Sequence, residues 1–180
     1  MVEGECIPEP VSFETDSWAT IKRAINEDNT NLYSVGDTKE VLIGGVSYTV
    51  RLSNKTFDVC DTVENDFSQT ACGFVFEFIN TIGDNSSMNS TSTNVGGWPL
   101  SDLFTYLNND IYNKLPSDLK SVIADTYGRS GYGKDDLTCL TTFNSKLYLL
   151  SLKELYGGDP NVDTARYSMK QLEYYQGKKI

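Results

Sequence analysis

Three carboxylates stand where an acid could do chemistry. Glu77 lies alone among apolar neighbours in "CGFVFEFINTI", Asp102 opens an apolar-periodic stretch, and Glu154 sits in "SLKELYGG". Two such acids held roughly 5–10 Å apart, one with a raised pKa, could hydrolyse a glycosidic bond. Each also has a plainer reading. Ser151 and Glu154 form the Ser-x-x-Glu pattern of a capping box. Asp102 fits the first turn of a helix. Glu77 fits an edge or partly exposed strand face better than a buried one, because a buried unpaired carboxylate is costly. The chain has no histidine, which removes Ser-His-Asp and Cys-His catalysis, His-ligated zinc and any histidine pH switch. Cys139 therefore lacks a histidine base. No catalytic residue, cofactor or metal site is expected, and the reading is non-enzymatic.

The four cysteines, Cys6, Cys60, Cys72 and Cys139, form no Cys-x-x-Cys pair, so zinc-ribbon and thioredoxin-like sites are excluded. Cys60 and Cys72 bracket "CDTVENDFSQTAC" and are the candidate disulfide, worth about 3 kcal/mol in the loop-entropy model. Free or buried thiols are the alternative. The same loop holds Asp58, Asp61, Glu64 and Asp66, but not in the order of an EF-hand. It reads as a solvated acidic loop.

The net charge of −10 and pI of about 4.4 oppose binding to phosphate backbones, so no nucleic-acid partner is expected. No apolar run reaches the ~20 residues of a membrane span. "MVEGECIPEP" has neither the basic nor the apolar region of a signal peptide.

The elements that must position these residues follow from periodicity. Residues 1–12 read as a leader with little structure, and residues 13–180 as one α+β domain. Asp16 or Ser17 can cap a short helix whose Trp18, Ile21 and Ile25 share a face, with Trp18 as core anchor. "YSVGDTKEVLIGGVSYTVRLSN" reads as a hairpin turning at Gly44-Gly45, and "CGFVFEFINTI" as a further strand with Phe74, Phe76 and Phe78 on one face. A polar loop over 83–95 ends in Gly96-Gly97-Trp98-Pro99. It contains Asn-x-Ser/Thr acceptor patterns at Asn85 and Asn89, with another at Asn54. Ser101 then caps a helix with the stripe Leu103, Leu107, Ile111 and Leu115, and Pro116-Ser117 starts a second helix that packs on it. "GRSGYGKDDLTC" reads as a Gly-rich loop without the phosphate-loop order, "KLYLLS" as a buried strand, and the tail as a helix with Tyr167, Leu172 and Tyr175 inward. The Gly-Gly-Trp corner reads first as a structural turn, with Trp98 as a ligand platform in the second reading.

The segments "YSVGDTKEVLIGGVSYTVRLSN", "FSQTACGFVFEFI", "MNSTSTNVGGWPLSDLFTYLNNDIYNKLPSDLKSVI", "KLYLLSLKEL" and "RYSMKQLEYYQ" occur in this order. Together they resemble the bacterial domain of unknown function 6273 family, found in surface proteins of gut Firmicutes. The resemblance covers roughly residues 18–176. It implies a mixed or antiparallel sheet with several short helices, of C-type-lectin-like type, and no established activity. It also implies a Trp-rich segment after the Gln-Leu-x-Tyr-Tyr block. A domain lacking its C-terminal part, or a shortened version, is therefore expected. The block at 141–151 departs from the family's usual Thr-Asp-Lys, with Asn144-Ser145-Lys146 here.

The expected function is recognition or adhesion at a cell surface, with a glycan or surface protein as partner and an extracellular location. Trp98, Asn89 and Asn94 are the candidate ligand-binding residues, and the loops at 83–98 and 128–139 the candidate faces. A structural spacer or assembly domain is the alternative, and a glycan hydrolase a third reading.

Overall fold

The computed structural model describes residues 7–55, 74–83, 86–133, 140–157 and 171–178. The four cysteines, the acidic loop at 58–66, Asn85 and Tyr167 lie outside them.

Ser17 caps helix α1, Trp18–Asn26, by accepting the Thr20 N–H at 3.1 Å. Asp16 has another task. Its carboxylate accepts the Val11 N–H at 2.9 Å and the Tyr33 hydroxyl at 2.7 Å. Residues 7–12 form no regular element, but Arg23 of α1 holds the carbonyls of Ile7 and Pro8 and pairs with Glu9. Strands β1, Thr38–Ile43, and β2, Val46–Asn54, form the expected hairpin. Gly44 and Gly45 supply its turn at φ of +57° and +87°, the left-handed pair that matches strand twist.

Strand β3, Val75–Phe78, pairs antiparallel with β2, giving a three-stranded sheet in the order β1-β2-β3. Pairing places residues opposite one another on the same face. One face carries Val41, Val50, Leu52, Phe76 and Phe78 and packs on Phe13, Trp18 and Ile21. Trp18, 4% exposed, meets Phe13 and Phe76 edge-on at centroid distances of 6.1 and 5.5 Å. It is the expected anchor.

The next helix, α2, is continuous but not uniform. It runs as α-helix over Asp102–Thr105, π-helix over Tyr106–Ile111 and α-helix over Tyr112–Lys114. Ser101 caps it, as expected, with its hydroxyl accepting the Phe104 N–H at 3.1 Å. Ile111 and Leu115 of its stripe are buried. Helix α3, Ser117–Val122, has Pro116 at its cap position, so Ser117 is its first helical residue rather than its cap. Leu119 of α3 packs with Leu115 into the same core as α1.

Strands β4, Thr126–Gly131, and β5, Leu140–Ser145, form a separate antiparallel pair. Two expectations change here. Residues 128–131 of the Gly-rich stretch are strand, and the expected strand at 146–151 is irregular backbone. Asn108 of α2 holds that backbone in place of a neighbouring strand. Its side-chain oxygen accepts the N–H groups of Lys146 and Leu147, both at 3.0 Å, and its amide donates to the carbonyls of Leu147 and Phe104 at 3.0 and 3.1 Å.

Helix α4, Leu152–Tyr156, starts in the expected capping box. The Glu154 carboxylate accepts the Ser151 N–H at 2.8 Å, and the Ser151 hydroxyl accepts the Glu154 N–H at 3.2 Å. Residues 163–170 of the expected tail helix lie outside the described ones; within 171–178 the chain forms a single 3-10 turn, Glu173–Tyr175, instead of a helix. Leu172 is fully buried before it, with Val75, Leu150 and Tyr175 around it. The architecture is α+β, with antiparallel sheets and several short helices.

Candidate functional site

Strand β3 lies at the edge of its sheet among the described residues, as expected, but Glu77 is buried there rather than partly exposed. It is 9% exposed, on the opposite face of β3 from the phenylalanines. Its cross-strand neighbour on β2 is Arg51, and the two form an ion pair. The Tyr175 hydroxyl donates to both carboxylate oxygens at 2.9 Å. Arg51 also lies 3.5 Å from the centroid of the Tyr174 ring, with Lys178 at 3.1 Å from the same centroid. Burial, and then the hydrogen bond to Glu77, push the Tyr175 phenol up to about 12. The acid is therefore the centre of a latch that fastens the 3-10 turn to the sheet. The lone glutamate in an apolar strand and the lone arginine in an alternating one were the sequence signal, and the register that faces them was not visible in it.

Asp102 and Glu154, the other two acids weighed for hydrolysis, also have partners. Glu154 belongs to its capping box. Asp102 accepts the Ser90 N–H at 2.6 Å, and hydrogen bonds from Ser90 hold its carboxyl below the usual aspartate range.

That bond is one of several that brace the polar loop. Asn89 accepts the Asp102 N–H at 3.1 Å and donates to the Thr93 carbonyl at 2.7 Å. The Leu103 N–H donates to the Met88 carbonyl at 3.1 Å. The loop is thus tied to the first turn of α2 at both side-chain and backbone level. Residues 87–94 line a shallow concavity of about 660 Å³, open to solvent. Asn89 and Asn94 both lie in its lining, and Asn89 has the further role of holding the loop's shape.

Gly96 and Gly97 join this loop to the Gly-rich strand end. Their φ angles are +90° and +64°, a region that L side chains rarely adopt. A Cβ on Gly97 would lie 1.8 Å from the Gly131 carbonyl oxygen, and one on Gly133 would lie 1.6 Å from that of Asn94. The Gly96 N–H donates to the Tyr132 carbonyl at 2.5 Å, and the Trp98 N–H to the Ser130 hydroxyl at 3.0 Å. The two nominated loops therefore form one junction, packed backbone to backbone. Trp98 is half-buried there and meets Phe104 edge-on at 5.5 Å, and Phe104 meets Phe143 at 5.9 Å. Its ring secures the start of α2. The junction's exposed apolar residues are Val95, Leu100 and Tyr132.

No group of three or more metal-ligating side chains occurs among the described residues. No helix among them is long and apolar enough to cross a membrane.

Neither a curated protein nor a solved structure matches the chain. A family profile described as "Domain of unknown function (DUF6273)" matches residues 64–179. The matched stretch does not close on itself, because β3 takes its partner strand, and Tyr175 its arginine, from β2 upstream of it. The match covers well over half of the sequence, and the chain belongs to the DUF6273 family.

Proposed function

We propose that the chain is a non-enzymatic recognition or adhesion module of a bacterial surface protein, and that the braced loop at 87–94 is its binding face. One observation carries this reading. The loop is exposed and polar, yet hydrogen bonds from α2 and from its own residues brace it. A loop ordered before its ligand arrives loses less conformational freedom on binding. Of the three acids weighed for hydrolysis, Glu77 is engaged in the latch, Glu154 in its capping box and Asp102 in the loop brace, which supports this reading.

Immobilised full-length chain, probed with bacterial and host surface fractions, tests the proposal. Binding that is lost in Asp102→Ala, with the thermal midpoint kept within a few degrees, is expected. Binding equal in both proteins would place the site elsewhere. Turnover of a glycan substrate would overturn the non-enzymatic reading.

A further inference from the structure

Resting on that recognition reading, we propose that the concavity at 87–94 takes a neutral, hydroxyl-rich ligand with an apolar face, the chemistry of an uncharged saccharide. Its lining contains serine, threonine and asparagine with a single apolar residue, Met88, and no charged side chain. The Asn89 amide is engaged in the brace, but the exposed hydroxyls of Ser87, Thr91 and Ser92 can both donate and accept, which suits a ligand whose hydroxyls do the same. The lining offers no cation to a sulfate, carboxylate or phosphate. The nearby carboxylate of Asp102 is already engaged by Ser90. The chain's net charge of −10 adds a field that repels anions.

Apolar contact is supplied from two places. Met88 is 41% exposed within the lining, and the adjoining junction exposes Val95, Leu100 and Tyr132 at 50%, 69% and 44%. The Tyr132 backbone is held next to the end of the loop, because its carbonyl accepts the Gly96 N–H and Gly133 abuts the Asn94 carbonyl. A sugar ring has polar edges and an apolar C–H face, which suits a polar lining that holds Met88 and has exposed apolar residues in the adjoining junction. A concavity this open buries little of a ligand, so a single site binds weakly, with a Kd on the order of 1 mM. Useful adhesion then comes from several copies engaging one surface.

The test uses the full chain and amide chemical shifts. The probes are neutral oligosaccharides of glucose, galactose, mannose and N-acetylglucosamine, together with sulfated and sialylated forms of the same scaffolds. At least one neutral probe is expected to shift the amides of residues 87–94. Its affinity should fall at least threefold in Tyr132→Ala and in Thr91→Ala, two exposed positions where folding is not at stake. Tighter binding of the anionic forms at this loop would overturn the ligand class and leave the recognition reading intact. So would a loop that responds only to a protein from the surface fractions. If the chain binds a surface fraction and no loop amide moves, the loop is not the binding face and the ligand class assigned to it falls, while the recognition reading stands.

Discussion

Glu77→Gln removes one charge from the latch and almost nothing from its shape. Glu77 is 9% exposed, and its partner Arg51 is held under Tyr174 and Tyr175. Breaking a buried ion pair from one side costs ~3–5 kcal/mol, because the surviving charge is left uncompensated. Arg51 keeps its stack on Tyr174 and a partly exposed side chain, so the lower end, about 3 kcal/mol, applies here. A chain of this length loses roughly 2–4 °C of midpoint per kcal/mol, giving a fall of roughly 6–12 °C. Thermal unfolding followed by circular dichroism reads it directly. Arg51→Met should be destabilising to a similar degree. The double variant Arg51→Met, Glu77→Leu should recover most of the loss, because apolar replacement of a buried pair is often neutral. A Glu77→Gln protein within 1 °C of the parent would refute the latch. So would a double variant as unstable as the two single losses combined.

Alkaline titration gives a second check. Burial raises the phenols of Tyr33 and Tyr148 as well as that of Tyr175, which reaches about 12. A raised acid pKa means that the fold favours the neutral phenol. This stabilisation is complete below the ordinary tyrosine value of about 10 and is lost as pH rises through the folded values. Stability should therefore fall from about pH 10 upward, and ultraviolet titration should show tyrosines that ionise late. Asn108→Asp exchanges the donating amide for a second acceptor facing the carbonyls of Leu147 and Phe104. At about 1 kcal/mol per hydrogen bond lost to those carbonyls, it should cost about 2 kcal/mol, read by denaturant unfolding. Gly97→Ala should destabilise by more than Gly45→Ala. At Gly45, nothing lies within 4 Å of the added Cβ, so only the backbone term of about 1–2 kcal/mol applies. Equal losses in the two alanine variants, measured by denaturant unfolding, would remove the close packing from the account.

What could be read from the sequence was local. The hairpin at Gly44-Gly45, the Trp18 face, the Ser101 cap and the Ser151–Glu154 box each lie within a few residues, and each is present. Where the structure differs from the local pattern, distant partners decide. Glu77 is buried because Arg51 and Tyr175 meet it from sequence separations of 26 and 98 residues. Residues 146–150 have the composition of a strand but are held by Asn108 of a helix rather than by a neighbouring strand. Over residues 171–178 the tail forms a 3-10 turn rather than a helix, because Leu172 and Tyr175 are drawn into the second cluster beside Val75 and Leu150. For the candidate site, the polar loop and the Gly-Gly-Trp corner were both visible. Their junction with residues 130–133 was not, because backbone-to-backbone contact between glycines leaves no periodic signal.

The most direct test of the central claim is amide hydrogen exchange on the chain without any ligand. If the recognition face is built in advance, the N–H groups of Ser90, Asp102 and Leu103, bonded between the loop and α2, and that of Gly96, bonded across the junction, should exchange well below random-coil rates. Asp102→Ala should release Ser90 while α1 and the central sheet stay protected. Exchange at Ser90 and Leu103 as fast as in an unstructured peptide would contradict the account, because a loop that is not held has no shape with which to select a partner.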